Sequence, residues 1–293
     1  MKAVLLTAVA MSAFAANSLL CRWALKPEDG LEPTIDAASF TLVRIASGAS
    51  FLLAWITIRR KPETQGRGRW WAAFALAGYA FAFSFAYLEL ATGTGALILF
   101  GGTQIVMLGH AHIKGDQLSL RACIGLVVAM LGLGYLLLPG SERPSLLGAI
   151  LMTLASVGWG AYSIFGRGVK DPTGVTAGNF LRSLALVLPV GLVWLRIRGS
   201  TVSLDGVVLA MASGVLTSGV GYVIWYAAMT GLSDTAKSMV QLSVPVLAAI
   251  AGVLFLGEVL EFRLVVSGLL VLGGLGLALW RTAKESPCQS EDR

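Results

Sequence analysis

Arg44 lies ten residues after Pro33-Thr34 in an apolar run, about 15 Å into a helix at the standard rise. A guanidinium at that depth suits bidentate capture of a carboxylate. Ionisable groups inside a membrane face cavities and mark functional positions by default. The alternative for Arg44 is a structural one: bonding to helix carbonyls, or snorkelling to an interface. Arg182 is its nearest equivalent but lies shallower, while Arg22, Arg167 and Lys237 stand at helix ends where snorkelling accounts for them. Acids are scarce. No Asp or Glu falls in the middle of an apolar run; Glu89 comes closest, and Asp116 and Glu258 open helices, where a negative charge complements the helix dipole. Proton-coupled carriers commonly relay through buried carboxylates, so this inventory favours a facilitator, with His110 as a further titratable candidate near a helix end.

Polar contacts are offered by Asn17, Gln104, Gln241 and Ser243, and aromatic walls by Tyr79, Phe83, Trp159, Tyr162, Tyr222 and Trp225. Tyr79 and Phe83 are spaced i, i+4 and share a helix face. Aromatic walls suit apolar or aromatic bodies, with a few polar groups fixing orientation; the alternative use of such rings is contact with lipid. Pro245 removes a backbone donor in mid-helix and frees carbonyls near Gln241. Gly101-Gly102, just before Thr103 and Gln104, permits close helix approach. These three positions are the candidate hinges or gates, bending and packing being the ordinary alternative. Catalytic chemistry finds no footing. His110 and His112 are two apart and point to different helix faces, no other His exists, and Cys21, Cys123 and Cys288 are scattered. Neither GxSxG nor a phosphate-binding loop is present. The expectation is therefore no enzyme, no metal and no cofactor.

The elements that must position these side chains follow from composition. The chain is 56% hydrophobic and 13% charged, with a mean hydropathy of +0.77, against roughly 25% charged in soluble domains. Too little polar surface remains to face water, so the chain must face lipid. Spanning helices need about 20 apolar residues, and ten candidates fit: Ala3–Trp23, Ile35–Ile58, Trp70–Leu88, Gly95–Ile113, Leu118–Leu138, Leu146–Phe165, Thr176–Leu195, Val207–Met229, Ala236–Leu256 and Phe262–Trp280. The runs lack the alternation of barrel strands, and a bilayer tolerates no unsatisfied backbone, so the fold class is all-α integral membrane. Met1–Ala16 imitates a signal peptide, but the apolar run continues to Leu20 without a cleavage site and reads as a retained first helix. The tail from Lys284 to Arg293 is polar and expected to be disordered. The net charge of +6 sits at helix ends and is no nucleic-acid signal. Basic residues concentrate on one side, in Lys2, Arg59, Arg60, Lys61, Arg67, Arg69, Lys114, Arg121, Arg167, Lys170, Lys237, Arg281, Lys284 and Arg293. Arg22, Lys26, Arg143, Arg196, Arg198 and Arg263 lie on the other. Positive residues favour the cytoplasm, which places both termini there, in the cytoplasmic membrane; Arg196 and Arg198 run against the bias.

The chain also repeats itself. Gly115-Asp116-Gln117-Leu118-Ser119-Leu120-Arg121 aligns with Gly257-Glu258-Val259-Leu260-Glu261-Phe262-Arg263, and at the same offset Gly132-Leu133-Gly134 falls on Gly274-Leu275-Gly276. Weaker echoes join Ala16–Arg22 to Ala161–Arg167 and Trp55–Arg59 to Trp194–Arg198. Two halves, 1–140 and 141–283, precede the tail 284–293. Five spans per half is an odd number, so the second half starts from the opposite face, a plan transporters use with the substrate site near the midplane. Such a 5+5 inverted repeat resembles the drug/metabolite transporter superfamily, specifically its EamA-type members. The matching features are Trp159-Gly160, Pro245, and Leu256-Gly257-Glu258 leading into the helix with Gly268 and Gly273-Gly274. The first half departs from the pattern, lacking a Pro in helix four and carrying Asp116 in place of Glu. The resemblance implies export of amino acids or other metabolites by alternating access, and the aromatic third helix is similar to the amino-acid exporter branch. Expected partners are a small-molecule substrate and the lipid bilayer, with a monomer sufficient. The alternatives are a carrier of other metabolites or drugs, and an integral-membrane enzyme.

Overall fold

A computed structural model gives the architecture; it describes residues 2–25, 33–59, 68–115, 119–138 and 144–279. Asp116, Trp280, Cys288, the tail 284–293 and the basic residues Lys26, Arg60, Lys61, Arg67 and Arg143 lie outside the described residues. Among the described residues ten helices follow one another. They are α1 (Lys2–Leu25), α2 (Ala37–Arg59), α3 (Trp70–Ala86), α4 (Thr92–Ile113), α5 (Leu120–Leu137), α6 (Leu146–Phe165) and α7 (Pro172–Arg198). Then come α8 (Leu204–Met229), α9 in two segments (Asp234–Gln241 and Ser243–Leu256), and α10 (Phe262–Leu279). Among the described residues nine helices are long and apolar enough to span a bilayer, and α3, with 17 residues, falls just short. The sole β contact described is an isolated bridge between Ile35 and Val202. It ties the α1–α2 and α7–α8 connections, with Asp36 N donating to Thr201 O at 2.8 Å.

The surface explains why the chain needs lipid. Leu5 is 67% exposed, Leu254 72% and Leu269 71%, a distribution that water would penalise and acyl chains do not. The interior is the reverse: Asn17, Arg44, Thr41, Thr103 and Gln104 are buried. Small residues bring the helices close. A Cβ on Gly125 of α5 would meet the carbonyl oxygen of Gly274 in α10, and one on Gly274 would meet that of Gly125, the contact that small residues supply where no hydrophobic drive exists between helices.

The most extensively packed helix pairs are α5–α10, α3–α6, α2–α7, α4–α6, α4–α9, α1–α8 and α1–α9, with α2–α8 and α3–α7 beside them. Exchanging each helix in the first five with its counterpart five places later turns this set of pairs into itself. Helix ends differ from the hydropathy reading where a cap decides them. Asp171 accepts from Gly174 N at 3.0 Å and Pro172 occupies the first turn, so α7 starts four residues before the expected Thr176. Helix α4 starts at Thr92 instead of Gly95 because Glu258 caps it from across the bundle: Thr92 N donates to its two carboxylate oxygens at 2.9 and 3.1 Å. Glu258, whose position suggested a complement to the dipole of the helix that follows it, thus also serves the start of α4. It also pairs with Arg22 at 3.2 Å, so Arg22 is held in an ion pair and on Tyr87 O (3.0 Å), where snorkelling had been the expectation.

Two helices are broken, each beside the interior polar groups. In α9 the regular turns stop at Leu242; Pro245, three residues on, has no N–H for the Gln241 carbonyl and its ring crowds that group. In α8, Ser213–Val220 widens to a π-helix. Gly214 lets this segment press on α2, since a Cβ there would strike Arg44 O and Ser47 Oγ. Thr217 Oγ1 donates back to Ser213 O at 2.6 Å. π-turns of this kind recur at functional sites.

Candidate functional site

Arg44, from the middle of α2, is 2% exposed. Its Nη2 donates to Tyr79 OH at 3.1 Å. Its Cζ lies 4.9 Å from the Phe83 ring centroid and 5.3 Å from that of Tyr79, the paired aromatic face that the i, i+4 spacing on α3 provides. The other two nitrogens, Nε and Nη1, have no hydrogen-bond partner. A buried cation with unmet donors is costly, and neither the walls of its cavity nor its hydrogen bonds include a carboxylate among the described residues. The ring of Tyr79 is itself anchored. Asn17 Nδ2 donates to Tyr79 OH at 3.5 Å, and Asn17 Oδ1 accepts from Ser213 Oγ (2.7 Å) and Thr217 Oγ1 (3.0 Å) of the π segment. One chain of hydrogen bonds thus runs from α8 through α1 and α3 to the guanidinium on α2.

These groups wall a small cavity of about 20 Å³, lined also by Phe14, Ser18, Leu99, Phe100, Trp159, Ser218 and Tyr222, room for one water-sized guest. Beyond it lies a vestibule of about 630 Å³ among α4, α6, α7, α8 and α9, bordered by Gln104, Tyr162, Arg167, Asn179, Tyr226, Lys237 and Gln241. That volume falls in the range of small-molecule sites. Phe14, Trp159 and Tyr222 belong to both spaces and form the partition between them. Trp159 stacks on Tyr222 at 5.8 Å and contacts Tyr79 at 5.1 Å, and Phe14 meets Tyr222 at 5.8 Å. Its indole Nε1 is also an unpartnered donor. A guest in the vestibule reaches Arg44 only if this aromatic layer parts. On the vestibule side Tyr162 OH donates to Thr176 Oγ1 at 3.3 Å, and Thr176 Oγ1 lies 2.6 Å from Tyr226 OH.

Of the residues singled out in the sequence, Asn17, Arg44, Tyr79, Phe83, Trp159 and Tyr222 come together at the small cavity, and Gln104, Tyr162 and Gln241 join Trp159 and Tyr222 at the vestibule. Gln104 Nε2 donates to Ser238 O (3.4 Å) and Gln241 Nε2 to Lys237 O (3.1 Å). Ser243 is exposed, donates its hydroxyl to Val240 O at 2.6 Å, and borders neither space. Gly101 faces Val271 of α10 and Gly102 faces Ser156 of α6; both allow helices to touch. Pro245 is buried beside the break in α9. Arg182 lies away from the cavities, donating to Gly178 O and stacked 5.7 Å from the Trp70 ring. Sequence reasoning missed Ser213, Thr217 and Ser218, although the run Ser213-Gly214-Val215-Leu216-Thr217-Ser218-Gly219 sets three hydroxyls inside an apolar span. It also gave Arg167 and Lys237 to the interface, whereas both border the vestibule.

Apolar helices enclosing cavities lined by polar and aromatic side chains define a multi-pass membrane protein. Residues 146–280 match the EamA-like transporter family. The chain is 49% identical over 280 residues to an uncharacterized protein of Pseudomonas aeruginosa, covering 95% of this chain and 94% of that one. It is 23% identical over 295 residues to an uncharacterized transporter of Archaeoglobus fulgidus, covering 97% and 98%. A solved structure matches with a TM-score of 0.65 at 20% identity, covering 94% of this chain and 96% of that chain, a likeness in fold. The chain belongs to the EamA-like transporter family, and its general activity is membrane transport of small molecules.

Proposed function

We propose that the protein is an alternating-access carrier that exports amino acids or related carboxylate metabolites across the cytoplasmic membrane. The observation that carries this reading is Arg44: a buried guanidinium with Nε and Nη1 unpartnered, inside an aromatic cavity. A carboxylate supplies the two acceptors and the charge that this group lacks, and the rings of Tyr79, Phe83, Trp159 and Tyr222 suit an apolar body. The helix pairing, which survives exchange of the two five-helix halves, supports an inverted repeat. With the termini cytoplasmic, as the basic residues favour, the vestibule opens to the cytoplasm. The opposite end is then held by Arg22, Glu258 and the start of α4. Export loads the vestibule, parts the Phe14–Trp159–Tyr222 layer, seats the carboxylate on Arg44 and releases it when the outer contacts separate.

Uptake of a labelled panel of amino acids and amine-free carboxylates into proteoliposomes, with and without a pH gradient, tests the reading. Saturable uptake indifferent to the gradient is the expected result, since no carboxylate lines either cavity among the described residues. Absence of uptake for every member would overturn the substrate class.

A further inference from the structure

The charges and acceptors along the route narrow the substrate beyond that reading, on which this inference rests. The charged side chains bordering the two cavities are Arg44, Arg167 and Lys237, all cations, and no Asp or Glu borders either cavity among the described residues. Three of the described acids are engaged elsewhere: Asp36 with Ala38 N and Ser39 N, Asp171 with Gly174 N, Glu258 with Arg22 and Thr92 N. At the Arg44 pocket two neutral acceptors are also engaged. Asn17 Oδ1 accepts from Ser213 Oγ, with Thr217 Oγ1 at 3.0 Å, and Tyr79 OH accepts from Arg44 and Asn17. The faces of Tyr79 and Phe83 already carry the guanidinium, and the unpartnered groups lining this cavity are three N–H donors, Arg44 Nε, Arg44 Nη1 and Trp159 Nε1, and one hydroxyl, Ser18 Oγ.

We infer that the site selects a monoanion: one carboxylate on a flat apolar body, without a charged amine. In a zwitterionic amino acid the ammonium is two bonds from the carboxylate carbon. With the carboxylate on Arg44, that ammonium lies close to a like charge in a water-poor pocket, and no carboxylate answers it. A carboxylate whose amine is absent or acylated escapes that repulsion and still meets the unpartnered donors of Arg44 and Trp159. The positive charge of Arg167 at the vestibule border raises the local concentration of such an anion.

The matched series 3-phenylpropionate, N-acetylphenylalanine, phenylalanine and phenethylamine separates charge from shape. Binding to the full chain in lipid nanodiscs is measured by calorimetry, with empty nanodiscs subtracted. 3-Phenylpropionate and N-acetylphenylalanine are expected to bind at least tenfold more tightly than phenylalanine, with phenethylamine not bound. Arg44→Gln should erase that binding, while Arg182→Gln, away from the cavities, should keep it. Phenylalanine binding as tightly as 3-phenylpropionate overturns the inference and leaves the amino-acid reading standing. No binding by any member overturns it as well, and the uptake panel then judges the broader reading separately. Because the ligand series is run on the natural chain, a poorly folding variant does not blunt the test.

Discussion

Arg44 is held by the phenol of Tyr79 and the rings of Tyr79 and Phe83. Tyr79 OH receives both the Arg44 and the Asn17 donors, so Tyr79→Phe leaves two buried donors without an acceptor. An unmet buried donor costs about 1–3 kcal/mol. The expected outcome is a lower unfolding temperature in detergent together with reduced uptake, checked by thermal unfolding and by initial rates in liposomes. Unchanged stability would mean that water replaces the phenol at no cost. At this scale the sequence was partly legible. Depth in an apolar run singled out Arg44, and the i, i+4 spacing found Tyr79 and Phe83. Ser213 and Thr217 were not found, because single hydroxyls in a span can satisfy themselves on the preceding turn, and only the tertiary structure shows them reaching Asn17. Ser243 shows the same ambiguity from the other side: its hydroxyl does turn back on its own helix.

The two broken helices make their own predictions. Gly214→Ala drives a methyl into Arg44 O and Ser47 Oγ, where the backbones of α8 and α2 meet. Overpacking of this kind typically costs about 1–3 kcal/mol, so loss of folded, monodisperse protein or of transport is expected in size-exclusion and uptake measurements. Glu258→Gln keeps an oxygen for Thr92 N but removes the charge that holds Arg22. A lost charged hydrogen bond is worth about 1.5–3 kcal/mol, and the expected result is a drop in unfolding temperature, with Arg22→Gln giving much the same drop and the double variant little more. Additive losses would argue that the two side chains act separately. The kink in α9 was readable from Pro245 because proline has a local, sequence-encoded effect. The π segment was not, since its sequence is an ordinary apolar span and its close approach to α2 at Gly214 is a tertiary contact, and Glu258 as the cap of α4 was hidden because that contact joins residues 166 positions apart.

For the molecule as a whole, hydropathy located the ten helices well, because in lipid the length of an apolar run is fixed by bilayer thickness and by the need to satisfy every backbone group. Their ends were misplaced by more than two residues at the starts of α4, α7 and α8, where Glu258, Asp171 and Ser203 accept from backbone N–H groups, and at the end of α7, which runs on to Arg198. The packing of the helices, the aromatic partition and the vestibule were beyond the sequence, since which face of a uniformly apolar helix turns inward depends on small residues and interior polar groups meeting across the bundle. The account joins these parts through one interaction, a substrate carboxylate on the buried Arg44 guanidinium. Its most direct test is saturable uptake of a labelled carboxylate substrate from the panel into proteoliposomes by the natural chain, Arg44→Lys and Arg44→Ala, each shown to be folded and monodisperse. Uptake should vanish in Arg44→Ala and survive weakly in Arg44→Lys, which keeps the charge and loses the planar pair of donors. Undiminished uptake by folded Arg44→Ala would contradict the account.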